Sequence, residues 1–258
     1  MEVHIKYNNK SYMIDLNMGQ CISIPYNYNG KQPNFYNADA GTSEPMIQGN
    51  FVGNISNNKG CKVSIIKQNI HCSGTHTECV GHILDKNIFI HEILDQKYHF
   101  TKLLTLQPIN AKLTKENYHC KLADSDFLIT KKMIIDKVPD NCTGLVIRTI
   151  PNDKSKKRIN YSSKNTSFFT SDAIEYINNL GIKHLVVDMP TIDRYDDGGI
   201  LGNHHLFFEK IEPYNKTITE LAFINNRIKD GLYFMSINIP PMMLDAAPSR
   251  VFLFKIME

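Results

Sequence analysis

Short runs of β-forming residues recur along the whole chain, and they constrain the fold more than any other feature of the sequence. Each run is rich in Val, Ile and aromatic residues, and Gly, Pro or Asn separates it from the next run. This pattern predicts strands that are joined by turns. The predicted strands cover residues 4–7, 62–71, 103–109, 144–150, 184–189, 218–224, 232–239 and 251–256.

Helical patterns are fewer than strand patterns. The clearest one covers residues 172–180, where Ile174, Ile177 and Leu180 form an apolar stripe and Gly181 follows as a stop signal. A predicted strand begins almost directly after this helix, so the segment reads as a helix-to-strand unit.

A second helix is predicted at residues 125–136. With many strands and few helices, the sequence predicts a mixed α/β fold that is strand-rich. No internal repeat, low-complexity tract or linker divides the chain, so we expect a single domain covering residues 1–258.

Composition narrows the class of protein. Apolar residues make up 42% of the 258 residues and charged residues 21%, which is typical of a globular protein and excludes wholesale disorder. The net charge of +3 gives no broad basic surface, so we expect no nucleic-acid partner. Without a long apolar run or a signal-like N-terminus, we expect a soluble, cytoplasmic protein without a membrane partner. The six scattered cysteines include no C-x-x-C pair and do not indicate a disulfide scaffold.

The segment at residues 71–82, HCSGTHTECVGH, concentrates side chains that bind metals. It contains three His, two Cys and one Glu within twelve residues. If the segment is extended, side chains alternate between two faces, and Cys72, His76 and Glu78 lie on the same face. His82 joins them if the extended conformation persists. Thiolate, imidazole and carboxylate groups all bind Zn²⁺ or related divalent ions, so this face is a candidate metal site.

His71 has the opposite parity in this interpretation and is expected to point away from the other three side chains. The alternative for the whole segment is a set of hydrogen-bonded or surface polar residues without a metal. A group of potential ligands on one face favours the metal or catalytic interpretation over that alternative.

The same segment resembles the signature of the cyclase family, which includes bacterial kynurenine formamidase and isatin hydrolase. That signature is His-x-Gly-Thr-His-x-Asp-x-Pro-x-His, and this chain aligns with it from residue 72 without a gap. The matching residues are Gly74, Thr75, His76 and His82. The departures are Cys72 in place of His, Glu78 in place of Asp, and Val80 in place of Pro.

The resemblance continues downstream. Residues 184–193 are similar to an apolar strand that leads into a Pro-Ser-x-Asp turn, and residues 247–251 are similar to a closing Ser-Pro-x-Arg turn with Pro and Ser exchanged. His204, in His-His-Leu-Phe, resembles a family metal ligand, although His205 is an alternative at this point.

Glu220 resembles a second downstream ligand of the family. Its alternation with Ile218 and Ala222 indicates a strand that places the carboxylate on an apolar face, where it needs a cation or a proton. However, Thr217 lies three residues earlier, and the Thr-x-x-Glu pattern is equally typical of a capping box at a helix start.

The resemblance implies a swivelling β/β/α fold and a metal-dependent hydrolase of small amides, such as N-formylkynurenine or cyclic amides. It implies one divalent ion, Zn or Mn, on Cys72, His76 and Glu78, and, if a second ion is present, Glu78, His204 and Glu220 as its ligands. His82 corresponds to the general base. The family's habit also implies a homodimer or homotetramer. The rival hypothesis is a metal-poor, non-catalytic relative that binds a small molecule, because Cys72 and Glu78 alter the metal motif.

Residues 22–46 form a Pro-, Gly-, Asn- and aromatic-rich segment that predicts a long loop. Its aromatic residues, Phe35 and Tyr36 among them, either cover an aryl substrate or simply pack the loop onto the core.

Overall fold

A computed structural model describes residues 1–55, 60–94, 98–209 and 213–257. The first nine strands are β1 (Glu2–Tyr7), β2 (Lys10–Asp15), β3 (Gln20–Cys21), β4 (Thr42–Pro45), β5 (Ile47–Gln48), β6 (Phe51–Val52), β7 (Ser64–Lys67), β8 (His76–Glu78) and β9 (His99–Leu106). The next nine are β10 (Ile109–Asn110), β11 (Phe127–Ile129), β12 (Gly144–Thr149), β13 (Ser167–Phe169), β14 (His184–Val187), β15 (Thr217–Glu220), β16 (Gly231–Asn238), β17 (Ala246–Pro248) and β18 (Arg250–Lys255). The α-helices are α1 (Ile70–Ser73), α2 (Ile90–Ile93), α3 (Ser171–Asn179) and α4 (Gly202–Glu209).

A nine-stranded sheet organises these elements in the order β17-β8-β15-β14-β12-β9-β16-β18-β3. Strands β9, β12, β14 and β15 run parallel to one another, and the outer pairings are antiparallel. Every residue of β12 and β14 is buried, which agrees with their nearly continuous apolar sequences. The mixed α/β, strand-rich fold that the sequence predicts is therefore confirmed.

Helices α3 and α4 cover one face of the sheet. In α3 the buried residues include Ala173, Ile174 and Ile177, so the predicted apolar stripe faces the core. The Asn178 side chain donates a 2.6 Å hydrogen bond to the Leu206 carbonyl in α4, which ties the two helices together. The helix predicted at residues 172–180 is confirmed.

Two local predictions are wrong. Residues 125–136 contain β11 and a short 3-10 turn instead of a helix, because Phe127, Leu128 and Ile129 pair in parallel with β13. Of the strand predicted at 62–71, only residues 64–67 form a paired strand. The chain then enters α1, where the Asn69 side chain accepts a hydrogen bond from the Cys72 N–H and caps the helix start.

Within the described ranges, no helix combines the length and the apolar character needed to cross a membrane.

Candidate metal centre

The site is built on β8 and its neighbour β15 near one edge of the sheet. These strands are antiparallel, with Glu220 opposite His76 and Ile218 opposite Glu78. Because side chains alternate along a strand, His76 and Glu78 project to the same face. Both residues are fully buried, and Glu220 is 4% exposed. The strand interpretation of Glu220 is thus confirmed and the helix-cap alternative is excluded.

His71 enters the site from α1, contrary to the prediction that it points away. Its Nδ1 lies 3.3 Å from Glu78 Oε2. The prediction assumed an extended segment, but the turn of helix before Gly74 changes the direction of each side chain. The argument from strand parity therefore fails for residues 71 and 72, although it holds for His76 and Glu78.

Cys72 occupies a different environment from the one predicted. Its side chain is buried in a small apolar cluster with Phe35, Tyr161 and Leu221. Burial, together with the nearby charge of Glu220, raises the pKa of the Cys72 thiol to about 11. Cys72 lies on α1 and not on β8, so the shared strand face predicted for Cys72, His76 and Glu78 is wrong. Its side chain lines the same cavity as Glu78 and His204, and its role as a metal ligand stays a prediction.

His204 reaches the site from α4, whereas His205 does not. His204 Nε2 lies 2.9 Å from Glu78 Oε1 and 3.6 Å from Glu220 Oε1. The His205 side chain is 41% exposed and pairs with Glu209 on the surface. The two neighbours differ because adjacent residues on a helix point in directions about 100° apart.

Asp193 supports His204 from behind. Its Oδ2 lies 2.6 Å from His204 Nδ1, and its carboxylate also accepts hydrogen bonds from the backbone N–H groups of Asn203 and His204. The Tyr118 hydroxyl donates to its second oxygen at 2.7 Å. The turn at residues 184–193 was noted in the sequence, but nothing there indicated that Asp193 would contact His204.

His82 lies beside the cluster on a 3-10 turn at Val80–His82. Its Nε2 is 3.8 Å from Glu78 Oε2, and its Nδ1 is 3.0 Å from Asp245 Oδ2. Asp245 lies 163 residues after His82, and no local sequence pattern indicates this contact.

The electrostatics of the cluster centre on two buried carboxylates. Burial raises the pKa of Glu78, but the facing rings of His82, His204 and His71 outweigh burial and hold this pKa well below its ordinary value. Burial and the charge of Glu78 raise the pKa of Glu220. The pKa of His204, which burial alone would lower, lies well above its ordinary value because of Glu78 and Asp193. Such carboxylates need positive charge beside them, which imidazolium rings or a metal ion can supply.

The donor atoms fit a divalent metal ion. Potential ligand atoms of His71, His76 and Glu78 all lie within 4.8 Å of one another, and those of Glu78, His82 and His204 form a second such group. Among the described residues, His76 Nε2 is buried without a hydrogen-bond partner, and the nitrogens beside the buried Glu78 oxygens are those of His71, His82 and His204, at 2.9–3.8 Å. Buried polar atoms are rarely left in this way unless an ion or water completes them. Imidazole and carboxylate donors suit Zn²⁺ and Mn²⁺.

A cavity of about 190 Å³ is lined by the polar or ionisable side chains of His71, Cys72, Glu78, His82, His204 and Glu220. Apolar groups from Phe35, Tyr36, Pro190 and Leu201 form part of its wall. Phe35 is 3% exposed and packs into the core, whereas Tyr36 is 53% exposed. Tyr36 stacks on Tyr195, with ring centroids 5.1 Å apart. The early loop therefore contributes both packing and a cavity wall.

The Gly-Thr pair before His76 has a structural role. The Thr75 hydroxyl donates to the Leu221 carbonyl at 2.6 Å and accepts from the Ile24 N–H at 2.7 Å. A Cβ at Gly74 would lie 2.9 Å from the Tyr26 ring, so that position has no room for a side chain. Gly74 and Thr75 thus join three chain segments beneath the candidate ligands.

Comparison with known proteins gives a family match. The family model Cyclase, described as "Putative cyclase", matches residues 17–194. Among curated proteins, no sequence matches the chain significantly.

Several solved structures share the fold. A "predicted metal-dependent hydrolase from Bacillus stearothermophilus" is 19% identical, with a TM-score of 0.61 over 92% of this chain and 97% of that chain. A "potential metal-dependent hydrolase with cyclase activity" is 20% identical, with a TM-score of 0.63 over 93% of this chain and 98% of that chain. Isatin hydrolase A from Labrenzia aggregata, bound to benzyl benzoate, is 13% identical, with a TM-score of 0.64 over 93% of this chain and 94% of that chain.

Proposed function

We propose, from the premise that this chain belongs to the cyclase family, that it is a metal-dependent hydrolase of a small amide, either an arylformamide or a cyclic amide. The observation that carries the proposal is the grouping of His71, His76 and His204 around Glu78. All of these except His76 line a cavity, and His76 Nε2 is buried without a hydrogen-bond partner among the described residues.

The structure supports His71, His76 and Glu78 as the residues that would hold one ion. We propose Glu78, His204 and Glu220 as the ligands of a second ion, if one is bound, as the family resemblance implies. The proposal is supported by His204 Nε2, which lies 2.9 Å from Glu78 Oε1 and 3.6 Å from Glu220 Oε1. A bound divalent ion would polarise the substrate carbonyl and lower the pKa of water. In the family motif, the first metal ligand falls at the position of Cys72. We assign this role to His71 instead, because its imidazole faces Glu78, whereas the Cys72 thiol packs with Phe35 and Leu221.

His82 is proposed as the general base. In amide hydrolysis, water adds to the carbonyl carbon, the C–N bond breaks, and one proton moves from water to the leaving nitrogen. His82 Nε2 faces Glu78 at 3.8 Å, close enough to the cluster to accept that proton and return it. The products are a carboxylic acid and an amine, or a single ring-opened molecule if the amide is cyclic.

The cavity limits the substrate to a small molecule. At about 190 Å³ it is smaller than the pockets that usually take drug-sized ligands. Phe35 and Tyr36 supply aromatic surface beside the His and Glu side chains, which suits a planar aryl group attached to the reacting amide.

The test combines metal binding with turnover. Purified protein is stripped of metal and reconstituted with Zn²⁺ or Mn²⁺, and bound metal is measured by elemental analysis and melting temperature. A panel of N-formylkynurenine, other formamides, cyclic imides and isatin-like lactams is then assayed. His76→Ala is expected to abolish metal binding and turnover. The matched control is His205→Ala, which removes a histidine that lies on the surface next to His204 in sequence.

Metal bound at near one equivalent, together with turnover of one panel member, would support the proposal. Protein that takes up no ion would refute it. Protein that binds metal and turns over no panel member would favour the alternative, a non-catalytic relative that binds a small molecule. Light scattering on the same samples tests the further proposal of a homodimer or homotetramer.

A further inference from the structure

One carboxylate oxygen outside the proposed ligand set contacts two imidazole rings of the site. Asp245 Oδ2 lies 3.0 Å from His82 Nδ1 and 3.1 Å from His71 Nε2. The two rings are neighbours, with centroids 4.5 Å apart and planes inclined by 30°. The Asp245 carbonyl accepts a hydrogen bond from the Cys79 N–H at 3.0 Å, which anchors this residue against the turn that carries His82.

This contact determines which nitrogen of each ring faces the proposed metal ligands. An ionised carboxylate only accepts hydrogen bonds, so each ring nitrogen that faces Asp245 carries its hydrogen there. The opposite nitrogens face inward. His71 Nδ1 is 3.3 Å and His82 Nε2 is 3.8 Å from the same Glu78 oxygen. A neutral ring that donates from one nitrogen presents a lone pair at the other.

We propose that Asp245 is a positioning residue shared by His71 and His82, so that His71 binds metal through Nδ1 and His82 acts as base through Nε2. This inference rests on the proposed function. The division of roles rests on distance and on the motif. His71 Nδ1 lies 3.3 Å from Glu78 Oε2 and groups with His76 and Glu78. His82 Nε2 lies farther from the same oxygen, at 3.8 Å, groups with Glu78 and His204, and stands at the motif position of the general base.

The expected effects follow from how such carboxylates work elsewhere. A carboxylate behind a ligating imidazole fixes its orientation, and its loss typically weakens metal affinity about 10–100-fold. A carboxylate behind a catalytic imidazole holds the correct tautomer, and its replacement by an amide can lower turnover by up to about 10⁴-fold. Asp245 is placed to exert both effects from one oxygen atom.

The central variant is Asp245→Asn, which keeps the shape of the side chain while its NH₂ group cannot accept a hydrogen bond. We expect the Kd for Zn²⁺, measured by competition with a chelator, to rise about 10–100-fold. At saturating metal, we expect kcat to fall about 10²–10⁴-fold with little change in KM. The matched control is Glu209→Gln. It removes a carboxylate from a different carboxylate–histidine pair, on the surface, where Glu209 Oε2 lies 3.1 Å from His205 Nδ1.

Double variants test whether Asp245 acts through these two rings. In a His71→Ala background, Asp245→Asn should weaken metal affinity no further. In a His82→Ala background it should lower kcat no further, because the ring that it positions is absent. Fully additive losses in both backgrounds would overturn the inference.

Melting temperature and circular dichroism establish that each variant is folded. If Asp245→Asn does not fold, Asp245→Glu takes its place. The inference is supported if Asp245→Glu binds metal more tightly than His71→Ala and has a higher kcat than His82→Ala, with both values nearer to those of wild type. Losses as large as those of both histidine variants would overturn it.

The outcomes separate this inference from the proposed function. Wild-type protein that takes up no metal refutes the proposed function. Wild-type protein that binds metal, with Asp245→Asn matching Glu209→Gln in Kd, refutes the shared role of Asp245 and leaves the proposed function standing. The Kd measurement needs no substrate, so it decides the His71 part of the inference even without turnover.

Discussion

His204 and Asp193 form a 2.6 Å contact between Nδ1 and Oδ2, and this contact directs His204 Nε2 toward Glu78 and Glu220. A carboxylate in this position fixes the tautomer of the ring and raises its basicity as a ligand. The same carboxylate accepts the N–H groups of Asn203 and His204, so the orientation of the ring is coupled to the start of α4.

We therefore predict that Asp193→Asn weakens Zn²⁺ or Mn²⁺ binding about 10–100-fold. The Kd is measured by competition with a chelator, and melting temperature reports any loss of folding. Asp196→Asn, three residues away in the same loop, is the control because Asp196 is exposed. Equal affinities for the two variants would contradict a role for Asp193 in orienting His204.

His82 and His76 are expected to respond differently to removal. His82→Ala should keep bound metal and lower turnover about 10²–10⁴-fold, because a general base is lost while the ligands remain. His76→Ala should lose the metal. Elemental analysis and steady-state kinetics on both variants decide the matter. Full activity in His82→Ala, or metal loss equal to that of His76→Ala, would show that His82 is not the base.

Cys72 and His71 provide a test of the ligand assignment. We predict that Cys72→Ala keeps its metal, because the thiol packs with Phe35, Tyr161 and Leu221. His71→Ala should bind metal more weakly, because its Nδ1 faces Glu78. Metal content after dialysis against a chelator distinguishes them. A Cys72→Ala protein that loses metal first would restore Cys72 as the ligand.

A buried histidine outside the site predicts acid sensitivity. Burial, then the neighbouring His99 and Lys183, lower the pKa of His184 well below its ordinary value of 6.5. Below about pH 6.5 the unfolded chain gains a proton at His184 that the folded protein does not. The free energy of unfolding therefore falls with decreasing pH, by up to about 1.4 kcal/mol per pH unit from this group.

Urea unfolding of metal-free His184→Gln is expected to show a shallower loss of stability below about pH 6.5 than wild type. The control is His205→Gln, which changes a histidine on the surface. If the free energy of unfolding falls equally with decreasing pH in wild type and in His184→Gln, the buried His184 ring does not cause the loss of stability in acid.

The Thr75 hydroxyl should matter for stability more than its size suggests. Thr75→Val keeps the shape but leaves the Ile24 N–H without its acceptor in a buried place, at a cost of about 1–3 kcal/mol. Thr75→Ser keeps the hydroxyl and is the control. Chemical denaturation of both variants measures the difference, and equal stability would show that these hydrogen bonds contribute little.

Sequence patterns identified the parts of the fold and site that depend on local order. The apolar stripe of α3 and the alternation in β8 and β15 each repeat with the period of one element, so Ile174, His76 and Glu220 were placed correctly. The motif resemblance also favoured His204 over His205.

The remaining features depend on contacts that local patterns do not encode. His71 was misplaced because the Asn69 cap starts a helix inside a run that looks extended. The helix predicted at residues 125–136 does not form, because β11 pairs in parallel with β13 there. This tertiary contact overrides the local helix propensity. Asp245 was not selected because its partners, His71 and His82, are far away in sequence.

The pairing of β17 with β8, which sets Ala246 opposite Glu78, also affects how the protein folds during its synthesis on the ribosome. During synthesis from the N-terminus, the segment with His71, His76 and Glu78 leaves the ribosome long before Asp245, which follows His82 by 163 residues. Pairings between such distant segments slow folding, because a long loop must close before the contact stabilises anything. We therefore expect the nascent chain to carry an unfinished site, which closes only when the last strands add to the sheet.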